Sequence, residues 1–414
     1  MAKTKLRRTL GLWQLTLIGV GIIVGAGIYV LIGEAAGLAG NALWLSFLLA
    51  AFAAAVTGLS YAKLAGKFPK SVAEHIYVHK LFGSRFAWLV GWFVILNGIV
   101  SAAAVAIGFS KYFEAVFGFP FIFGSLSVIV ILSLVLFLGM NESAFVTIVL
   151  TLFEILGLLI IIFIGIPYLG DVNYLEMSKG LSGVFQASAL IFFAFMGFET
   201  LARLSDETKN PRKTVPKAII LSIVISTLLY ILVAVSAISI IGWQALSESK
   251  APMADVASVV FGEKAFLIMA FIALFSTSNT VLAVMLSTSR LIYGMADYKT
   301  LPSILARVTR KRRIPIFSIL ATVFAVIFFA LMGDLSSVAS LANFMIFVTF
   351  IAVNACAIKM NVKLGIRGTA LPAIGILTCV FLLSNTSFDT LVIGAAFCVV
   401  GATAYELRMM WRKK

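Results

Sequence analysis

The chain alternates long apolar runs with short polar segments. Twelve runs are long enough to span a bilayer's hydrocarbon core, which takes about 20 helical residues. Backbone polar groups cannot stay unpaired in lipid, and these runs are too long and too uniformly apolar for barrel strands. We therefore predict an all-α membrane protein with twelve transmembrane helices, at 13–33, 41–66, 86–112, 120–139, 144–168, 185–204, 217–242, 265–293, 316–332, 336–357, 370–386 and 389–410.

The composition leads to the same prediction. The 414 residues are 62% hydrophobic and 12% charged, with a mean hydropathy of +1.10. Soluble globular domains carry about 25% charged residues. The composition therefore excludes an ordinary soluble domain.

The positions of lysine and arginine predict the orientation, because basic loops stay cytoplasmic. If the N-terminus is inside, all but four of the 32 basic residues lie in cytoplasmic segments, the exceptions being Lys111, Lys179, Lys250 and Lys264. We expect a protein of the cell (plasma) membrane with both termini cytoplasmic. The net charge of +15 then reflects insertion topology and lipid contact, and we expect no nucleic-acid partner.

The first span carries an unusual density of glycine. Residues 19–33, GVGIIVGAGIYVLIG, contain five glycines, although each costs roughly 0.8–1.0 kcal/mol relative to alanine inside a helix. Close packing of helices through small residues is one explanation, and the pairs Gly21/Gly25 and Gly33/Gly37 have the right spacing. The cluster Gly25-Ala26-Gly27 favours a second explanation, an interruption of the helix at mid-membrane depth.

A similar pattern occurs five spans later. In residues 192–207, FFAFMGFETLARLSDE, Gly197 lies within the apolar span and Glu199 follows it. A carboxylate inside a membrane span is costly and indicates function. Two interrupted spans five apart are typical of inverted-repeat transporters. We predict a first repeat at 1–168 (spans 1–5) and a second at 185–357 (spans 6–10), with spans 11 and 12, at 370–410, outside the repeat.

Four motifs resemble the amino acid–polyamine–organocation transporter superfamily. They are GAGI at 25–28, FAFMGFE at 193–199, DETKNPRKTVPKAI at 206–219 and YGMADYKTLP at 293–302. With the twelve spans, the resemblance covers nearly the whole chain. It implies a five-plus-five inverted repeat and transport of amino acids or their amines, with the substrate between broken spans 1 and 6.

The resemblance also implies a substrate site at the break in span 1, where Gly25 interrupts the helix. The amides that bind the substrate carboxylate match Ala26, Gly27 and Ile28, and the carbonyls that hold its amino group match Ile23, Phe193 and Met196. The Phe193 ring matches an aromatic that closes over the substrate. Helix physics agrees, because a broken helix offers free amides on one half and free carbonyls on the other, which suits a zwitterion. Asn97 and Asn343 are polar residues at a plausible pocket depth.

Two carboxylates are candidates for coupling and gating. Glu154 lies near the middle of span 5, where the resemblance implies a lysine in some proton-coupled relatives, so it can exchange a proton or ligate a cation. Glu199 can cap free amides at the start of a half-helix or take part in gating. The hydroxyls of Thr277 and Ser278, in LFSTSNTV at 274–281, are possible sodium ligands. We favour a proton over sodium, because intramembrane carboxylates commonly form proton relays.

We expect a secondary active transporter that works by alternating access, most simply a proton-coupled symporter of neutral amino acids. It is not expected to be an enzyme or to need a cofactor or a bound metal. No GxxxxGK[ST] motif occurs, so ATP is not expected to drive it. Open alternatives are an amino acid/amine exchanger and sodium-coupled or cationic amino acid uptake. The sequence leaves the oligomeric state open.

Overall fold

The computed structural model describes residues 10–68, 73–138, 140–309, 314–332, 334–362 and 365–413. Within these ranges the regular structure is helical, with several short 3-10 turns and no strand. The α-helices are α1 (Leu12–Ile23), α2 (Ala26–Ala39), α3 (Leu43–Lys67), α4 (Ala73–Phe82), α5 (Ser84–Phe117), α6 (Phe121–Leu138), α7 (Met140–Gly165), α8 (Gly180–Ile191), α9 (Phe198–Arg203), α10 (Pro211–Glu248), α11 (Pro252–Phe261), α12 (Glu263–Asp297), α13 (Ile316–Met332), α14 (Leu335–Asn361), α15 (Ile366–Ser384) and α16 (Phe388–Lys413).

Nine segments of the described residues are long and apolar enough to cross a membrane. One of them, Ala26–Lys67, contains both α2 and α3. Three further stretches that belong to predicted spans are apolar but shorter: Leu12–Ile23, Ile316–Met332 and Gly368–Ser384. The all-helical membrane architecture is thus confirmed, and the count of twelve spans stays a prediction.

Several helices differ from the predicted spans. The longest, α5, α10 and α12, have 34, 38 and 35 residues and extend several residues beyond the predicted ends. Polar residues can continue a helix past the hydrocarbon, where hydropathy no longer marks it. The ten-residue helices α4 and α11 were not predicted, because a window long enough to detect a membrane span averages over such short elements. Helix α10 bends at Gly242, whose φ of 75° requires glycine.

The contacts between helices define two ends of the bundle. Helices α5 and α12 are antiparallel, since Gly98 packs on Thr288 while the Phe117 and Phe271 rings lie 6.3 Å apart near the other end. Helices α2 and α5 run in parallel, because Val30 packs on Gly108 and, further along both helices, Glu34 pairs with Lys111. We call the end where α1 and α5 begin and α12 finishes the proximal end, and the other the distal end.

Candidate functional site

Two consecutive residues interrupt the first predicted span. Helix α1 ends at Ile23 and α2 begins at Ala26, while Val24 and Gly25 have non-helical backbone angles. The last carbonyls of α1 and the first amides of α2 therefore have no partner within their own helices. Backbone hydrogen-bond acceptors and donors are therefore both available at the same level of the helix bundle.

Side chains from distant helices pair some of these groups. The Ala26 amide donates to Thr280 Oγ1 of α12 at 3.0 Å. The Tyr230 hydroxyl of α10 lies 2.6 Å from the Ile23 carbonyl and 2.8 Å from the Ala194 carbonyl, so it bridges the two interrupted segments. The amides of Gly27 and Ile28 lie in the first turn of α2, where no acceptor exists within the helix.

The second interruption is longer and contains a backbone angle that requires glycine. Helix α8 ends at Ile191, a 3-10 turn covers Phe192–Phe195, and Met196 is extended. Gly197 then has a φ of 119°, in the left-handed region, before α9 begins. Glu199 Oε2 accepts from the Gly197 amide at 2.9 Å. The carboxylate therefore occupies the capping position that is one of the two roles expected for it.

The two interruptions touch each other. A Cβ atom added to Gly27 would lie 2.6 Å from the Ala194 Cα, and one added to Gly197 would lie 2.6 Å from Ile22 Cγ2. Both distances are shorter than any normal contact, so the absence of a side chain allows the two segments to meet. These glycines serve a close approach of backbones as well as the break itself.

A cavity of about 170 Å³, here called the central cavity, lies at this meeting point. Drug-sized ligands usually occupy roughly 300–1,000 Å³, so this cavity suits a smaller molecule. Its α12 lining runs from Thr280 to Leu291, so it extends from the breaks toward the proximal end. Eight predicted site residues line it: Ile23, Gly25, Ala26, Gly27, Asn97, Phe193, Met196 and Glu199.

Other predicted residues lie outside the lining. The side chain of Ile28 is fully buried, and Ser278 is only partly buried. Thr277 donates to the Ala273 carbonyl of its own helix at 2.8 Å. Asn343 donates to the carbonyls of Ala189 and Leu190 at 2.8 and 2.9 Å, so it supports the end of α8 rather than the cavity.

Glu154 is also outside the central cavity, in a buried polar cluster between α7 and α12. Its Oε1 accepts from Ser276 Oγ at 2.6 Å, and its Oε2 lies 3.5 Å from Asn279 Nδ2. The Tyr29 hydroxyl of α2 donates to its backbone carbonyl at 2.6 Å. Among the described residues Glu154 takes part in no ion pair. A carboxyl group in such a place needs either a proton or a cation as partner.

Two hydroxyls on one face of α12 connect Glu154 to the first interruption. Ser276 binds the carboxylate, and one turn later Thr280 donates to the Ser276 carbonyl at 3.2 Å while accepting from the Ala26 amide. The path from the carboxylate to the Ala26 amide therefore runs through the Ser276 hydroxyl, the backbone carbonyl of the same serine and the Thr280 hydroxyl. A change in the hydrogen bonds of Glu154 can thus affect the first break through these intervening contacts.

Sequence reasoning missed several polar residues of the site: Ser101, Thr200, Tyr230, Thr280, Ser287 and Thr288. A signal existed for Thr280, because it lies four residues after Ser276 and so on the same helix face. None existed for Tyr230, which is separated from Ile23 by 207 residues. The buried Ser101 hydroxyl has no hydrogen-bond partner within the described ranges and lines the cavity. In the same part of the chain, no three His, Cys, Asp or Glu side chains form a possible metal site.

Comparison with known proteins gives a consistent result. The family profile described as "Amino acid permease" matches residues 10–403. The branched-chain amino acid permease BcaP of Bacillus subtilis is 29% identical over 97% of this chain and 93% of its own length. The methylthioribose transporter of the same species is 30% identical over 73% and 70%. Cationic amino acid transporter 4 of Mus musculus is 30% identical over 84% of this chain and 59% of its own length.

Substitution of Thr280 by valine tests how the first break is stabilised. Thr280→Val keeps the shape of the side chain but leaves the Ala26 amide without its acceptor, which should cost about 1–3 kcal/mol. We expect a lower midpoint of thermal unfolding in detergent. Thr403→Val is the matched control, because the Thr403 hydroxyl is exposed and bonds to carbonyls of its own helix. Equal shifts in the two variants would show that the bond to Ala26 is unimportant.

The contact between the two breaks can be tested at Gly27. Gly27→Ala places a methyl group against the Ala194 backbone, and such overpacking costs roughly 1–3 kcal/mol. We expect reduced thermal stability. Gly294→Ala is the control, since no atom lies within 4 Å of its Cβ position, and alanine there should be neutral or stabilising by up to about 1 kcal/mol. A Gly27→Ala protein as stable as the control would contradict the close approach.

Proposed function

The chain belongs to the amino acid permease family, and from this premise we propose that it moves neutral amino acids across the cell membrane by alternating access, driven by a proton gradient. It is a multi-pass membrane transporter and not an enzyme. The proposal needs no cofactor. It concerns the substrate, the coupling ion and the direction of access.

The observation that carries the proposal is the meeting of two broken helices at one small cavity. The Gly27 amide, in the lining of the cavity, lies at the positive end of the α2 dipole, which attracts a carboxylate, and the Ile28 amide belongs to the same first turn. The Ile23 carbonyl at the end of α1 accepts from the Gly25 amide at 2.7 Å and from the Tyr230 hydroxyl at 2.6 Å, so a substrate ammonium would take the place of one of these two donors. A zwitterionic amino acid uses both halves at once.

The walls of the cavity favour a neutral substrate. Apolar side chains contribute much of the lining, among them Val94, Val105, Val284 and Leu291. Glu199 is the ionisable residue in the lining, and the Gly197 amide already engages its carboxylate. The similarity to a branched-chain amino acid permease supports an aliphatic side chain.

A cationic amino acid is the second candidate. Glu199 still lines the cavity, and a side-chain ammonium or guanidinium could pair with it. The similarity to cationic amino acid transporter 4 supports this reading. The two candidates differ in whether arginine and lysine compete with leucine for uptake.

The proposed transport cycle uses the two ends of the bundle in turn. The central cavity extends toward the proximal end, and Val30 packs on Gly108 between it and the distal end. If basic loops are cytoplasmic, this is an inward-facing arrangement. We propose that residues 1–168 and 185–357 form the inverted repeats that exchange access, with 370–410 outside them.

Glu154 is the proposed coupling residue. It is buried among neutral partners, and the Ser276 and Thr280 hydroxyls connect it to the α2 amides. Gain or loss of a proton changes which hydrogen bonds its carboxyl group can accept, and therefore biases the break at Ala26. Sodium is the alternative, because the cluster also offers the oxygens of Ser276, Asn279 and Thr151.

The deciding experiment is a substrate competition panel with purified protein in proteoliposomes, run with a pH gradient, a sodium gradient or neither. The proposal expects concentrative leucine uptake with a pH gradient alone, inhibited by neutral aliphatic amino acids. Uptake only into vesicles preloaded with substrate would show an exchanger. Uptake that requires sodium, or that arginine and lysine inhibit most strongly, would support the corresponding alternative.

Phe193 should influence large substrates more than small ones. Phe193→Ala removes an aromatic wall of the cavity. The binding free energy of leucine should become less favourable by about 1–3 kcal/mol, and that of alanine and glycine should change less. The measurement is the inhibition constant of each amino acid. Phe153→Ala, at a ring that is 41% exposed on α7, is the control. An equal loss for every amino acid would assign Phe193 a purely structural role.

Glu154→Gln should uncouple transport. The amide keeps the size of the side chain but cannot exchange a proton, so accumulation driven by a pH gradient should fail while exchange with internal substrate survives. Glu263→Gln, at an exposed carboxylate at the start of α12, is the matched control. Full accumulation with an unchanged dependence on the pH gradient in Glu154→Gln would exclude the coupling role. Loss of sodium-stimulated uptake would point to sodium as the coupling ion.

A further inference from the structure

A second and larger cavity opens at the distal end of the bundle. It has a volume of about 630 Å³, and we call it the distal vestibule. It begins at Val30 of α2 and Ile107 of α5, a few residues beyond Gly27 and Val105, which line the central cavity on the same two helices. At 1.5 Å of rise per residue, the two linings are less than one helical turn apart on both helices. The vestibule therefore lies on the same path as the central cavity.

The vestibule contains charges of both signs, unlike the central cavity. Its charged lining residues are Glu34, Lys111, Glu114, Glu248, Lys250 and Asp334. Two of the four lysines that fall outside the predicted cytoplasmic segments are among them. With four carboxylates and two ammonium groups, the cavity attracts a cationic group and still offers partners for an anionic one.

Two ion pairs cross this cavity. Lys111 Nζ lies 2.7 Å from Glu34 Oε1 and joins α5 to α2, while Lys250 Nζ lies 2.9 Å from Glu114 Oε1 and joins the α10–α11 connection to α5. The side chains of Glu34 and Lys111 are 37% and 33% exposed. Ion pairs exposed to this extent contribute only about 0–1 kcal/mol, so a charged ligand can replace them.

We propose that the distal vestibule is a second, weak binding site for zwitterionic amino acids, which holds the substrate before the path to the central cavity opens. An α-amino acid carries its ammonium and its carboxylate on one carbon. It can insert at the Glu34–Lys111 pair so that its ammonium meets Glu34 and its carboxylate meets Lys111. A ligand with one charge leaves one protein group without a partner. The proposal rests on the proposed function, since it takes amino acids to be the substrate.

The test separates the two sites with a variant that fills the central cavity. Ala283 lines that cavity on α12, so Ala283→Phe should remove tight binding and transport. With labelled L-leucine and detergent-purified, monodisperse protein, we expect a weak saturable component to remain. Adding Lys111→Met should weaken that component about three- to fivefold, the effect of one exposed ion pair. Adding Lys111→Arg should preserve it, because the charge is kept.

Controls and analogues make the test specific. Lys264→Met removes an exposed positive charge at the distal start of α12, outside the vestibule lining, and should change nothing. Two analogues that each lack one charge of leucine, 4-methylpentanoate and 3-methylbutylamine, should compete less well than leucine for the weak component. In otherwise unaltered protein, Lys111→Met should raise the KM of leucine uptake and leave the maximal rate unchanged.

The outcomes distinguish the second site from the proposed function. If wild-type protein transports leucine but Ala283→Phe shows no saturable leucine binding, the proposed function stands and the vestibule site is overturned. An unchanged weak component after Lys111→Met, or equal competition by 3-methylbutylamine, also overturns it. Absent leucine uptake by wild type contradicts the proposed function alone, and a weak component sensitive to Lys111 would still support the second site.

Discussion

The bilayer's intolerance of unpaired backbone groups governs this structure. A helix broken at mid-membrane depth exposes amides and carbonyls that lipid cannot solvate, so each break must be supplied with partners from the protein. Thr280 and Tyr230 serve the first break, while Glu199 serves the second. Among the groups that these side chains leave available, the Gly27 amide lines the central cavity, and we propose it as a contact of the substrate.

The same requirement links the first break to Glu154, the proposed coupling residue. Thr280 pairs with the Ala26 amide and with the backbone carbonyl of Ser276, and the hydroxyl of the same serine pairs with Glu154, so Ser276 lies between the first break and the carboxylate. A residue that controls the coupling ion therefore does not need to touch the substrate. In the proposed cycle, Glu154 acts from outside the central cavity, through Ser276 and Thr280 to the Ala26 amide.

The two cavities differ in the charge of their lining residues. The central cavity is mainly apolar, and its carboxylate is engaged by a backbone amide, which suits tight binding of a neutral molecule in a low-dielectric site. The distal vestibule is wide and carries exchangeable ion pairs, which suits weak capture from water. We thereby propose that the substrate is selected in the central cavity and first attracted in the distal vestibule.

The sequence by itself determined the membrane architecture and the positions of both breaks. Long apolar runs can only be helices in lipid, and glycine is needed where a side chain cannot fit or where φ is positive, as at Gly27 and Gly197. Motif resemblance, the glycine cluster and the polar residues within spans together indicated eight residues of the central cavity. Only the tertiary structure decided the partners: Tyr230 reaches Ile23 across 207 residues, Asn343 turns to α8, and Glu154 lies beside the cavity rather than in it. These outcomes depend on the rotation and spacing of packed helices, which no local pattern of residues encodes.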